Sequence, residues 1–195
     1  MLTEPLAVVC QVVDVLDDLG VPYAIGSSLA SAVHGVMRAT MDADLVADMR
    51  PEHAAPLVHA LGSAFYADLE AIQAAIHHRA SFNLIHLETM FKVDMFVAKS
   101  RPFERSQLAR RGLETVSSDP ERRLYIISAE DVVLAKLDWY RLGGGTSDRQ
   151  WRDILGVLSV QGERLDRDYL QRMAKELKVS NLLQRAYQET GTAKR

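Results

Sequence analysis

Strand, tight turn, helix and strand again are written into one stretch: Ile25-Gly26-Ser27-Ser28-Leu29-Ala30-Ser31-Ala32-Val33-His34-Gly35-Val36-Met37-Arg38-Ala39-Thr40-Met41-Asp42-Ala43-Asp44-Leu45-Val46. Val21 to Ile25, just ahead and bounded by Gly26, is the short apolar run of a buried strand. Leu29, Ala30, Ala32 and Val33 then share the apolar side of a helix, with Ser27 or Ser28 at its cap and Gly35 at its end. Asp42 to Val46 is again strand-like, and its two aspartates, two residues apart, project from one face.

Working outward, Thr3 caps a first helix whose Leu6, Val9, Val12, Val13, Leu16 and Leu19 recur at helical spacing until Gly20. Pro51 opens another helix that runs to Gly62, and Asp68 to His78 is a further one. Phe82–Leu87 and Phe91–Val97 are strand-like runs joined by the short connection Glu88-Thr89-Met90, which predicts adjacent strands in a hairpin. Leu124–Ile127 is the last strand. From Ala129 onward the spacing predicts helices alone, over 130–142, 148–160, 166–177 and near 181–188, broken by Gly143-Gly144-Gly145 and Gly162. The expected architecture is therefore an α/β region over residues 1–127, followed by a C-terminal helical region over 128–195.

The 195 residues, 48% hydrophobic and 25% charged, describe an ordinary globular chain with length enough for a real core, and exclude a fibrous or disordered one. A single cysteine, Cys10, excludes a structural zinc cluster and suits a reducing compartment. No apolar run approaches a bilayer's thickness and the first residues lack the basic start of a secretion signal, so the expected location is cytoplasmic, with no membrane partner. The net charge of −3 conceals an asymmetry: residues 1–100 hold 5 Lys and Arg against 12 Asp and Glu, and the remainder 18 against 14. An acidic half suits metal binding and a basic half suits phosphates, although solvated helix faces give the same pattern.

Two carboxylates side by side raise one another's pKa unless a cation lies between them, and paired hard oxygens are what Mg²⁺ prefers. An isolated Asp-x-Asp also describes a solvated strand face. Asp94 is the more unusual residue, because it interrupts Met90, Phe91, Val93, Met95, Phe96 and Val97, and strand interiors are poor in Asp. Lys92 shares its face and offers an electrostatic partner. Gly26 and Ser27, at a strand-to-helix junction, form either a simple capped turn or a phosphate cradle of backbone N–H groups.

Taken in order, Ile25-Gly26-Ser27, Asp42-Ala43-Asp44 and Lys92-Val93-Asp94 resemble the motifs of the DNA polymerase beta-like nucleotidyltransferase superfamily, and in particular its small bacterial members of the abortive-infection toxin type. The resemblance covers residues 22–97 specifically and the helical tail loosely. It implies an α/β (α+β) fold, a small mixed β-sheet flanked by helices and nucleotidyltransferase-like, in which Asp42, Asp44 and Asp94 hold Mg²⁺, Asp94 helps deprotonate an attacking hydroxyl, and Gly26 and Ser27 hold the phosphates of an NTP such as ATP. The expected chemistry is transfer of a nucleoside monophosphate with release of pyrophosphate. Lys136, and the segment Arg149-Gln150-Trp151-Arg152-Asp153, also recur in that family. The Lys136 ammonium either reaches phosphate or snorkels at the surface. Arg38, Thr40 and Lys92 either bind phosphate or brace their surroundings, and His34 and His86 are expected to pack or hydrogen-bond and not to ligate.

The resemblance leaves the acceptor open among a tRNA end, a protein side chain and a small molecule such as an aminoglycoside. A toxin-like role, with a cognate antitoxin as partner, is one implication. The alternative is a non-catalytic nucleotide-binding or interaction protein on a decayed nucleotidyltransferase scaffold.

Overall fold

The computed structural model describes residues 4–34, 42–99 and 101–191. Seven strands form one mixed sheet: β1 (Tyr23–Ile25), β2 (Asp42–Ala47), β3 (Phe65–Tyr66), β4 (Ser81–His86), β5 (Lys92–Val97), β6 (Gly112–Ser118) and β7 (Glu121–Ile126). Their order across the sheet is β3-β4-β5-β2-β1-β7-β6. β2 runs parallel to β5 and antiparallel to β1, while β1 runs parallel to β7. The described helices are α1 (Glu4–Asp18), α2 (Ser27–Val33), α3 (Ala54–Leu61), α4 (Leu69–His78), α5 (Pro102–Ala109), α6 (Ala129–Leu142), α7 (Asp148–Gln161), α8 (Arg167–Glu176) and α9 (Ser180–Glu189). None of the described helices is long and apolar enough to cross a membrane.

The chain divides into two compact units, Met1–Leu29 with Ala39–Ile126, and Ala30–Arg38 with Ile127–Arg195. In the first, alternation of polar and apolar residues along β2 and β5 leaves Ala43, Leu45, Ala47, Val93, Met95 and Val97 buried on one face. Buried aliphatic side chains of the helices, among them Val9, Val12 and Leu16 of α1, Leu57 of α3 and Ile72 of α4, add to the apolar core of this unit. Asp68 caps α4 by accepting from the Ala71 N–H at 3.0 Å. The β4–β5 hairpin predicted around Glu88–Met90 is present, with Leu84 opposite Val93.

Three elements lie outside the sequence expectations: the two-residue edge strand β3, the helix α5 with Pro102 in its first turn, and β6, the polar partner of β7. In the second unit, the four helices α6 to α9 fall where the spacing predicts them. Ser128 caps α6 through the Asp131 N–H at 3.2 Å, and Asp166 caps α8 through the Tyr169 N–H at 2.9 Å. Polar groups tie the bundle internally: the Tyr169 hydroxyl donates to Asp131 Oδ1 at 2.6 Å, and the Asp166 N–H donates to Glu130 Oε1 at 2.8 Å.

Candidate active site

The site is built by strand register. β2 and β5 pair so that Asp42 lies beside Lys92 and Asp44 beside Asp94. Residues directly opposite on neighbouring strands project from the same face, so all four side chains share the half-buried face of the sheet, opposite the apolar core. On the other flank of β2, the Gly26 N–H donates to the Asp44 carbonyl at 2.8 Å and fixes the β1–α2 turn beside the second aspartate. On the far flank of β5, Asn83 of β4 pairs with Asp94. One row therefore runs from the turn after β1 across β2, β5 and β4: Gly26, Asp44, Asp94, Asn83.

Electrostatics binds this group together. Lys92 Nζ lies 2.7 Å from Asp94 Oδ2, with 41% of the lysine side chain and 15% of the aspartate exposed. That hydrogen bond, more than any other influence, holds the ammonium above its ordinary pKa; the charges of Asp94, Asp42 and Asp44 add to it and burial opposes. Lys92 thus feels all three carboxylates. The carboxylate oxygens on this face are all hard donors, which is the chemistry that suits Mg²⁺. Among the described residues, no three His, Cys, Asp or Glu side chains are drawn together as a ready-made metal cage. At Asp94 the resident cation is the Lys92 ammonium.

The other expected residues are distributed as follows. Ser27 and Ser28 open α2. Arg38 and Thr40 lie outside the described residues. Lys136 does not reach out of its apolar surroundings: its Nζ lies 2.8 Å from Asp153 Oδ2, with 9% and 7% of the two side chains exposed. The expectation that its ammonium extends towards phosphate is therefore corrected to a buried ion pair between α6 and α7, because burial without a counter-charge is too costly there. His34 Nε2–H donates to the Ile127 carbonyl at 2.8 Å, and His86 is hydrogen-bonded through Nδ1 to Thr89 Oγ1 at 2.9 Å and stacks edge-on against Phe65. Asn83 is the member of the row that the sequence reading passes over. The available signal is the period-two alternation of Ser81 and Asn83 with buried Phe82 and Leu84, combined with the hairpin register.

The sheet and its helices form a nucleotidyltransferase-like fold. The antibiotic-resistance factor ANT(2'')-Ia has a solution structure similar to 94% of this chain, matching 96% of its own, at TM-score 0.58 and 12% identity. The lincosamide antibiotic adenylyltransferase LnuA, solved with lincomycin bound, matches 82% of this chain and 98% of its own at TM-score 0.52 and 16% identity. An antigenic nucleotidyltransferase-like protein from Paracoccidioides brasiliensis matches 92% and 91% at TM-score 0.56 and 18% identity. No protein-family model matches the chain, and no curated protein matches it in sequence.

Proposed function

We propose that this chain is an Mg²⁺-dependent nucleotidyltransferase that moves a nucleoside monophosphate from an NTP, ATP in the first instance, to an acceptor hydroxyl. The observation that carries the reading is the in-register pairing of Asp44 with Asp94 beside the Gly26 turn. Asp42, Asp44 and Asp94 would hold the ion, which when bound supplies charge neutralisation for the triphosphate. The Gly26–Ser27 turn binds phosphate oxygens. Asp94 orients the acceptor hydroxyl and takes its proton as the oxygen bonds to the α-phosphorus; the bond to the bridging oxygen breaks and pyrophosphate leaves. The similar structures named as an antibiotic-resistance factor and an antibiotic adenylyltransferase support a small hydroxylated molecule as acceptor.

Isothermal titration of Mg·ATP into the wild-type chain and into the Asp42→Asn/Asp44→Asn variant tests the proposal. Binding by wild type and its loss in the variant are expected, whereas equal binding by both, or none by wild type, rejects it. One observation favours a second reading. The Lys92–Asp94 ion pair engages the third carboxylate, as suits a nucleotide-binding protein without transfer activity. Transfer of radiolabel from α-labelled ATP separates the two, because a non-catalytic protein retains the nucleotide and labels nothing.

A further inference from the structure

The row Gly26, Asp44, Asp94, Asn83 has a direction. In nucleotidyl transfer the attacking oxygen and the departing pyrophosphate lie on opposite sides of the phosphorus. With the phosphates held at the Gly26 end, the acceptor enters from the β4 side of Asp94. Neighbouring strands are ~4.8 Å apart, so Asn83 stands one strand spacing beyond Asp94, along the path of the acceptor.

Its surroundings make Asn83 a presented group. Phe82 and Leu84 on either side of it are buried and anchor the strand, while Asn83 and Ser81 are exposed. Among the described residues, the Asn83 carboxamide makes no hydrogen bond. Asn is depleted in strand interiors, so strand propensity gives no reason for it here. A carboxamide offers both a donor and an acceptor, the complement of a hydroxyl or of a hydroxyl–amine pair on a sugar ring. We infer that Asn83 binds the acceptor, a hydroxylated small molecule of the aminosugar or sugar class, through a polar group next to the reacting hydroxyl, and so positions that hydroxyl at Asp94.

The inference rests on the nucleotidyltransferase reading, and its test separates the two. Initial rates of label transfer from α-labelled ATP are measured with tobramycin, lincomycin and glycerol as acceptors, for wild type, Asn83→Ala and Asn83→Ser, after calorimetry has measured Mg·ATP binding to each. The expected result is transfer to at least one acceptor, an acceptor KM about tenfold higher in Asn83→Ala, partial recovery in Asn83→Ser, and an unchanged KM for ATP, as fits loss of one uncharged hydrogen bond. An acceptor KM that does not move, or an ATP KM that rises in parallel, overturns it. Wild type that binds Mg·ATP yet labels none of the three also overturns it and leaves nucleotide binding standing. Failure of wild type to bind Mg·ATP removes the nucleotidyltransferase reading itself.

Discussion

Lys136 and Asp153 show what a single buried charge demands. Each is almost entirely withdrawn from water, and each has the other at 2.8 Å. Lys136→Met leaves a buried carboxylate without its counter-charge and is expected to destabilise the chain by about 3–5 kcal/mol, while the double change Lys136→Met/Asp153→Leu, which removes both charges, recovers most of that loss. Urea unfolding of wild type and the two variants measures it, and a double variant no more stable than Lys136→Met refutes it. The partnership is illegible in sequence because it depends on α6 packing against α7. Val132, Val133, Leu134 and Leu137 mark Lys136 as embedded in an apolar segment, but nothing local names the carboxylate that meets it. Asp42 and Asp44 are the opposite case: their spacing of two is itself the statement that they share a face. Asp94 is legible as an anomaly, an acid among Phe91, Val93, Met95 and Phe96.

At the scale of elements, legibility follows burial. α1, α4, α6 and α7 carry strong apolar periodicity and are found within a residue or two of their expected ends. β6 escapes because Glu114, Ser117 and Ser118 give no apolar alternation on an exposed edge, and α5 escapes because among its residues only Phe103 and Gln107 are buried. The closure of α9 against α7 is equally hidden, and it has a pH signature. The Trp151 indole N–H donates to Glu189 Oε2 at 2.8 Å, Arg185 Nε lies 2.8 Å from Glu189 Oε1, and the guanidinium covers the Trp151 ring at 4.3 Å. The indole hydrogen bond first, and that of Arg185 second, hold the Glu189 carboxyl below its ordinary value of 4.5. A carboxylate depressed in the folded state contributes stability that is present above its unfolded pKa and is lost as pH falls through the folded one. Trp151→Phe is therefore expected to move the Glu189 midpoint up towards 4.5 in a carbon-detected NMR titration, shrinking the acid-labile part of the stability. A midpoint that stays in place shows that the indole contact is not formed in solution.

For the whole molecule, the carboxylate row of the sheet unit is visible in the sequence only in outline. The motifs name three carboxylates and a glycine turn, but the row they form exists only because β5, distant along the chain, inserts beside β2 with no register shift. Ligand binding at such a row has a global consequence, since anything that binds the native state alone stabilises it by mass action. Mg·ATP at about 100 times its dissociation constant is expected to add about 2.7 kcal/mol, equivalent to a slowing of about 100-fold in amides that exchange only through unfolding. Hydrogen–deuterium exchange should show this slowing across β1, β2 and β5, strands whose hydrogen bonds join Gly26, Asp44 and Asp94, and Asp44→Asn should abolish it. Protection of equal size in Asp44→Asn, or protection confined to α6–α9, would place the nucleotide elsewhere and detach the carboxylate row from its proposed ligand.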